Sequence, residues 1–167
     1  TLGAVNGSLS QSALDATASE IEGIREEIVG LANTTYLGRP LFAGVVDTDK
    51  AFDPSGAYLG DAGAVSRTVA PGTSIQVNLS GEQVFGAFDG GDPTNGNLFQ
   101  ILDRLAADVR SGDVAQMQAG MNRVDAGTER VSVAQAQIGT RGRQIEALGE
   151  RNGDVSLALK AELAEVE

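Results

Sequence analysis

Apolar residues recur at intervals of seven near the end of the chain, and this spacing constrains the fold more than any other feature. The residues that follow the interval strictly are Met117, Val124, Val131, Ile138 and Ile145. Such a repeat keeps one apolar stripe on the same side of a long helix, where it packs along another helix. It predicts a helix over 113–148, roughly 50 Å long, then a turn at 152–154 and further helix to Glu167.

A second apolar repeat predicts the helix that packs against the first. Its main stripe is Leu14, Ile21 and Ile28, and its companion stripe, three residues further on, is Thr17, Ile24 and Leu31. A helix over 11–33, capped by Ser10 or Ser12, places both stripes on one face. The predicted helix-packing core is therefore Leu14, Ile21, Ile24, Ile28, Leu31, Met117, Val124, Val131, Ile138 and Ile145. We expect Ile24→Asp or Val131→Asp to melt this rod.

Four glycines lie inside the long predicted helix, at positions 120, 127, 139 and 142. Each costs up to about 1 kcal/mol relative to alanine in a helix interior. Close approach of a neighbouring helix explains them better than a free surface does.

The period changes to two between the helical parts. Residues 74–79 alternate as a half-buried strand does, with a partner strand at 65–69 and a turn at 70–73. Residues 83–85 favour a short third strand. Helix resumes after Asn97, with a stop and a new cap at 111–113.

These elements predict an α+β fold in which a long antiparallel helical bundle carries an inserted β-rich domain. The helical rod comprises residues 1–40 and 97–167, and the inserted domain comprises residues 41–96. The chain begins at Thr1 without an initiator Met, so we expect a fragment of a longer protein. Because aromatic residues make up only 4% of the chain, we expect a mostly aliphatic core.

Composition excludes several classes of function. A net charge of -11 argues against binding to nucleic acid or an anionic membrane surface. The chain has neither Cys nor His, which removes disulfides, thiolate or imidazole metal sites and histidine-dependent triads. No apolar run is long enough to cross a membrane, so no membrane insertion is expected.

The remaining motifs do not indicate an enzyme or a cofactor. Asp47, Asp49 and Asp53 begin like a calcium loop, but the sixth position is Phe52 instead of Gly and the twelfth is Tyr58 instead of Glu. The glycines at 56, 60 and 63 lack the strand and helix of a dinucleotide site. We therefore predict no catalytic, metal-binding or cofactor-binding residues.

A series of short motifs runs along the chain. It comprises EIEGI at 20–24, LANTT at 31–35, GRPLFAG at 38–44, YLGD at 58–61, SGEQVF at 80–85, NLF at 97–99, AQIGTR at 136–141, and AVNGSLS at 4–10 before the first helix. The series resembles the flagellin superfamily, and within it the hook-filament junction family, hook-associated protein 3. These motifs stand in the family's order along nearly the whole chain. The Phe-Ala-Gly ending of the third motif favours the junction family over flagellin proper.

The resemblance implies a secreted structural subunit that assembles with copies of itself in a ring. Its other implied partners are the second hook-filament junction protein, flagellin and an export chaperone. It implies export through the flagellar type III apparatus to the bacterial flagellum outside the cell, with the helical arms near the tube wall and the β-rich domain outward. On this resemblance, we expect the family's terminal coiled-coil segments to be missing from the sequence.

Two alternatives stay open on the sequence alone. The chain could be flagellin itself, which would polymerise alone into long filaments. It could also be an extracellular binding module or adhesin, which would carry a pocket of converging polar groups in its β-rich region.

Overall fold

The computed structural model describes residues 10–70, 72–92 and 95–166, without the side chains of 165 and 166. The first helix, α1, runs over Gln11–Ala32, and the Ser10 side chain accepts a hydrogen bond from the N–H of Ala13. Of the two predicted caps, Ser10 and Ser12, the structure therefore selects Ser10. The motif at 4–9 and the turn residue Pro71 lie outside the described residues.

Two small antiparallel hairpins follow α1. Strands β1 (Thr35–Tyr36) and β2 (Arg39–Pro40) pair through a two-residue loop. Strands β3 (Ser66–Ala70) and β4 (Thr73–Gln76) pair with a register shift near Ala70, which confirms the predicted hairpin but ends its second strand three residues early.

The prediction of a third strand at 83–85 is wrong. Residues Gly81–Phe85 form a short helix, α2, because Ser80 and Gln83 make a reciprocal capping box. Two backbone N–H groups at the helix start are satisfied in this way, which favours a helical turn over extended backbone.

Capping residues mark the start and end of the next helix, α3, and the start of the helix that follows it. Helix α3 covers Leu98–Ser111, with a capping box between Asn97 and Gln100 and a left-handed Gly112 after its end. Asp113 then accepts hydrogen bonds from the N–H groups of Ala115 and Gln116 at the start of the next helix.

Helix α4 is continuous over Val114–Val166, so the predicted turn at 152–154 is wrong. Its 53 residues span about 80 Å. No proline interrupts this stretch, and a helix tolerates Gly153 at a cost of about 1 kcal/mol. The Asn152 side chain points away from its own backbone and donates to the carbonyl of Val69.

Helix α3 lies between α1 and α4 and is antiparallel to both. The start of α1 meets the end of α3, where the Gln11 side chain donates to the carbonyl of Arg110. Leu105 of α3 faces Gly120 of α4, and Leu98 faces Gly127. The β3–β4 hairpin and α2 pack along α4. The α+β class, with a helical bundle and small antiparallel sheets, is confirmed.

An aromatic cluster forms the centre of the main core, so the expectation of a mostly aliphatic core is wrong at this point. The rings in contact are Phe42, Phe52, Tyr58, Phe85 and Phe99, with centroid separations of 5.0–5.4 Å. Aromatic residues are few, but the topology gathers five of the seven at one place. The cluster contains residues from 41–96 and from α3, so one core crosses the predicted boundary between rod and insertion.

Two asparagine side chains fasten the loops of the insertion to the helices, and a third joins two segments within the insertion. Asn33 accepts from the N–H groups of Ala51 and Phe52 and donates to the Phe52 carbonyl. Asn97, fully buried, donates to the carbonyl of Gly56. The Asn78 side chain accepts a hydrogen bond from the N–H of Val65 and donates one to the carbonyl of Gly63.

Candidate assembly surface

Side chains from α1 and α4 converge on α3 in the second half of that helix. Ala18, Leu105, Ala106 and Val109 form a buried cluster there. The partly buried residues packed around it are Leu14, Ile21, Met117 and Val124. Ile28 and Val131 pack in the same way against the main core. Six of the ten predicted helix-packing residues therefore lie at the helix contacts.

The other four predicted packing residues face away from these contacts. The exposed fractions are 45% for Ile24, 67% for Leu31, 42% for Ile138 and 37% for Ile145. For Ile24 and Leu31 the predicted companion stripe was wrong by one residue. The buried companion of Leu14, Ile21 and Ile28 lies four residues further on, not three. For Ile138 and Ile145 the reason is length, since α3 begins at Leu98, opposite Gly127, and α4 continues past that point.

Apart from Arg25, the residues that complete these packing faces but were left out of the predicted core are small. On α1 the true companion stripe is Ala18, Arg25 and Ala32, and on α4 it is Gly120, Gly127 and Ala134. All of these except Arg25, which is partly buried, are buried. Alanine and glycine at heptad positions were the available signal, because small residues allow close helix approach.

Two glycines of α4 mark the closest approach of α3. A Cβ atom added at Gly120 would lie 2.8 Å from Cδ1 of Leu105, and one at Gly127 would lie 2.8 Å from Cδ1 of Leu98. Nothing lies within 4 Å of the corresponding position at Gly142. Close approach therefore explains the first two glycines but not Gly142.

We expect Gly142→Ala and Gly127→Ala to change stability in opposite directions. The first gains helix propensity in open space and should stabilise the protein by about 0.5–1 kcal/mol. The second gains the same propensity but must displace the buried Leu98, so it should be less stable than Gly142→Ala by at least about 1 kcal/mol. Urea unfolding followed by circular dichroism measures both. Equal stabilisation by the two variants would contradict the close contact.

Ion pairs hold α1 against α3 beside the apolar contacts. Arg110 binds both carboxylate oxygens of Glu22, one of them at 2.7 Å. This hydrogen bonding lowers the pKa of the Glu22 carboxyl and raises the pKa of the Arg110 guanidinium. Arg25 lies 2.8 Å from Asp103, and its side chain is 12% exposed. The charged groups thus set the register of α1 on α3, while both members of the first pair stay accessible to solvent.

The structure separates the two substitutions that the sequence analysis treated as equivalent. Val131→Asp places a carboxylate against the main core and should destabilise the protein by about 1–3 kcal/mol. Ile24→Asp changes an exposed position and should cost less than about 0.5 kcal/mol. Thermal unfolding of the two variants, followed by the helical circular dichroism signal of the whole chain, measures the difference. A larger loss for Ile24→Asp would mean that α1 is rotated relative to this structure.

The outer part of α4 carries an exposed apolar surface. Beyond Leu148, the exposed apolar side chains are Val155, Leu157, Leu159 and Leu163. Leu159 continues the seven-residue series that begins at Met117, with Asn152 at the one polar position between Ile145 and Leu159. The heptad pattern therefore extends past the part of α4 that has an intrachain helical partner.

Within 10–70, 72–92 and 95–164, no three acidic side chains gather as they would around a metal ion. Within 41–96, the carboxylates with lowered pKa values accept hydrogen bonds from nearby hydroxyl and backbone N–H groups. Hydrogen bonds from the N–H groups of Val45 and Gly63 lower the pKa of Asp61, and the Ser55 hydroxyl lowers that of Asp53. No helix in this part of the chain has the length and apolar character to span a membrane.

The chain is similar in sequence to two curated proteins named flagellar hook-associated protein 3. It is 25% identical over 182 residues to that of Escherichia coli K12, an alignment covering 98% of this chain and 57% of the relative. It is 26% identical over 179 residues to that of Salmonella typhimurium LT2, covering 95% and 56%. The chain thus spans a little over half the length of these relatives. No model of a known protein family matches it.

Solved structures share the fold. The putative flagellar hook-associated protein from Vibrio parahaemolyticus superposes with a TM-score of 0.81 at 22% identity, covering 96% of this chain and 72% of that one. Xanthomonas campestris FlgL gives a TM-score of 0.78 at 20% identity, covering 96% and 84%. Together with the sequence matches, these neighbours confirm that the chain resembles the hook-associated protein 3 family along almost its whole length and has the fold of that family's solved members.

Proposed function

We propose that this chain is the core of a structural subunit of the bacterial flagellum, which forms the hook-filament junction by assembling with copies of itself. The observation that carries the proposal is the similarity to hook-associated protein 3 over 98% of the chain. The helical packing described above supports a role in assembly, because surplus heptad positions on α4 offer a surface for further helices. The proposed role is structural and not catalytic.

We extend the proposal to the location of the subunit and to the proteins that it contacts. The subunit would be exported by the flagellar type III apparatus with the help of a chaperone. It would then lie outside the cell between the second junction protein and flagellin. The helical rod, 1–40 and 97–167, would face the tube wall, and residues 41–96 would face outward. The shared aromatic core supports a rigid join between these two parts, since neither part buries its rings alone.

Deletion of the complete gene tests this role in the source bacterium. We expect the mutant to lose its filaments and to release flagellin monomers into the medium, because flagellin would have no junction on which to polymerise. A plasmid copy of the complete gene should restore filaments, and a copy carrying Val131→Asp should restore fewer. If the purified full-length protein instead forms long filaments on its own, the chain is a flagellin and the junction role is wrong.

A further inference from the structure

Asparagine followed by glycine occurs three times in the sequence, at 6–7, 95–96 and 152–153. This dipeptide can modify itself, because glycine has no side chain to keep its backbone nitrogen away from the asparagine amide. Asp89 and Gly90 form a related pair, with a carboxyl group in place of the amide. The pair at 6–7 lies outside the described residues, so the structure distinguishes between the other three pairs.

The reaction consumes only water. The backbone nitrogen of the glycine attacks Cγ of the asparagine, and its proton leaves with the side-chain nitrogen as ammonia. Water then opens the resulting succinimide ring at one of its two carbonyls and gives either aspartate or isoaspartate. In isoaspartate the main chain runs through Cβ and Cγ and is one atom longer. The asparagine backbone must rotate before the nitrogen can reach Cγ, so the local fold sets the rate.

Helix α4 keeps Asn152 and Gly153 away from this geometry. In a helix interior each N–H binds the carbonyl four residues earlier, and rotation of one residue breaks the helix around it. The Asn152 side chain is also engaged, since its amide donates to the carbonyl of Val69 at 2.9 Å. This pair is therefore protected by the folded chain.

The carboxylate of Asp89 is protected by its hydrogen bonds. Its Oδ1 atom accepts from the N–H groups of Gly91 and Asp92, at 2.8 and 3.0 Å. These bonds lower the pKa of the Asp89 carboxyl. An ionised carboxyl reacts poorly with the Gly90 nitrogen, because an oxide would have to leave from it.

Asn95 is held less firmly than the other two residues. It is exposed and lies just before α3 begins. Its backbone N–H and its side-chain amide both donate to Asp92, each at 3.3 Å, which is long for such bonds. Gly96 is buried, so its nitrogen reaches Cγ of Asn95 when this turn opens. Opening breaks two long bonds at an exposed site, and local motions of this kind have a low free energy.

We propose that Asn95 is a site of spontaneous deamidation and isoaspartate formation. This inference goes beyond the proposed function and does not depend on it. The added backbone atom would lie beside Gly96, where a Cβ atom would already overlap Oε1 of Gln100. That oxygen accepts from the N–H groups of Asn97 and Asp89, so it both closes the capping box of α3 and fixes the loop. Isoaspartate at this position therefore weakens the start of α3.

Ageing of the purified chain tests the site. In warm, mildly alkaline buffer, peptide mass spectrometry should show that Asn95 converts about tenfold or more faster than Asn152, since α4 must open before Asn152 can react. In concentrated urea the two residues should convert at similar rates, because each is then the same dipeptide in an unfolded chain. Equal rates in the folded chain, or faster conversion of Asp89 than of Asn95, would overturn the proposal.

Asn95→Gln is the matched control, because it keeps an exposed amide whose extra methylene makes ring closure slow. Before ageing, this variant and the wild type should melt at the same temperature. After ageing, the wild type should melt about 2–4 °C lower, as expected for a lost helix cap, and the variant should be unchanged. A converted wild type with an unchanged melting temperature, or an equal loss in both chains, would overturn the effect on α3. The gene deletion reports on the junction role separately.

Discussion

Phe52→Ala should destabilise the protein by about 3–5 kcal/mol, the largest effect expected of any single truncation. Phe52 is fully buried, and its ring contacts those of Tyr58, Phe85 and Phe99 at 5.0–5.4 Å. The cavity would open where residues 41–96 join the helices. The chain has few other aromatic residues that could fill it. Urea unfolding at fixed pH, followed by circular dichroism, measures the loss.

Phe88→Ala is the matched control. Phe88 is 39% exposed and is not part of the aromatic cluster, so its truncation should cost less than about 1 kcal/mol. If Phe52→Ala were no more harmful than Phe88→Ala, the insertion and the helices would not share one core. In that case residues 41–96 would form an independent unit, and unfolding would occur in two separate steps.

Asn33→Ala should cost about 2–4 kcal/mol, because it leaves two backbone N–H groups without an acceptor. The Asn33 side chain accepts from the N–H groups of Ala51 and Phe52 at 2.8 and 2.9 Å. Its amide also donates to the carbonyl of Phe52 at 2.9 Å. This side chain therefore fixes the segment that inserts Phe52 into the core. We expect the melting temperature to fall accordingly, with the helices still formed at low temperature.

Two controls separate the acceptor from the donor role of Asn33. Asn33→Asp keeps the acceptor for both N–H groups but replaces the donor with an oxygen that faces the Phe52 carbonyl. It should cost less than Asn33→Ala, because neither N–H group loses its acceptor. Asn152→Ala removes one exposed hydrogen bond, to the carbonyl of Val69, and should cost less than about 1 kcal/mol. The loop interpretation is contradicted if Asn33→Ala and Asn152→Ala are equally mild.

The three long helices, α1, α3 and α4, were predictable because each begins at a local signal. Ser10 caps α1, Asn97 caps α3, and the residues at 111–113 end α3 and begin α4, all within a few positions of the chain. The β3–β4 hairpin was predictable for the same reason, since alternation and a tight turn lie within twelve residues. The wrong predictions also have local causes. The capping box of Ser80 and Gln83 was overlooked at 83–85, and the turn residues at 152–154 were given more weight than helix continuity.

The family resemblance also came from the sequence, because it depends on the order of short motifs and not on their contacts. The role of one motif did not. LANTT at 31–35 contains the asparagine that fastens the segment carrying Phe52, eighteen to nineteen residues away along the chain. A hydrogen bond over that separation leaves no periodic trace in the sequence, so its partners could be identified only in the folded chain.

By itself the sequence determined the three long helices, except for the continuity of α4 at 152–154, and the seven-residue stripes of α1 and α4. It also determined that the chain lacks histidine and cysteine chemistry. Only the tertiary structure decided which face of each helix is covered. Heptad spacing locates an apolar face to within about one residue, but the covered positions are those where small residues such as Ala18, Gly120 and Gly127 let α3 approach. Burial depends on the distance between helix axes, and that distance is set by both helices together.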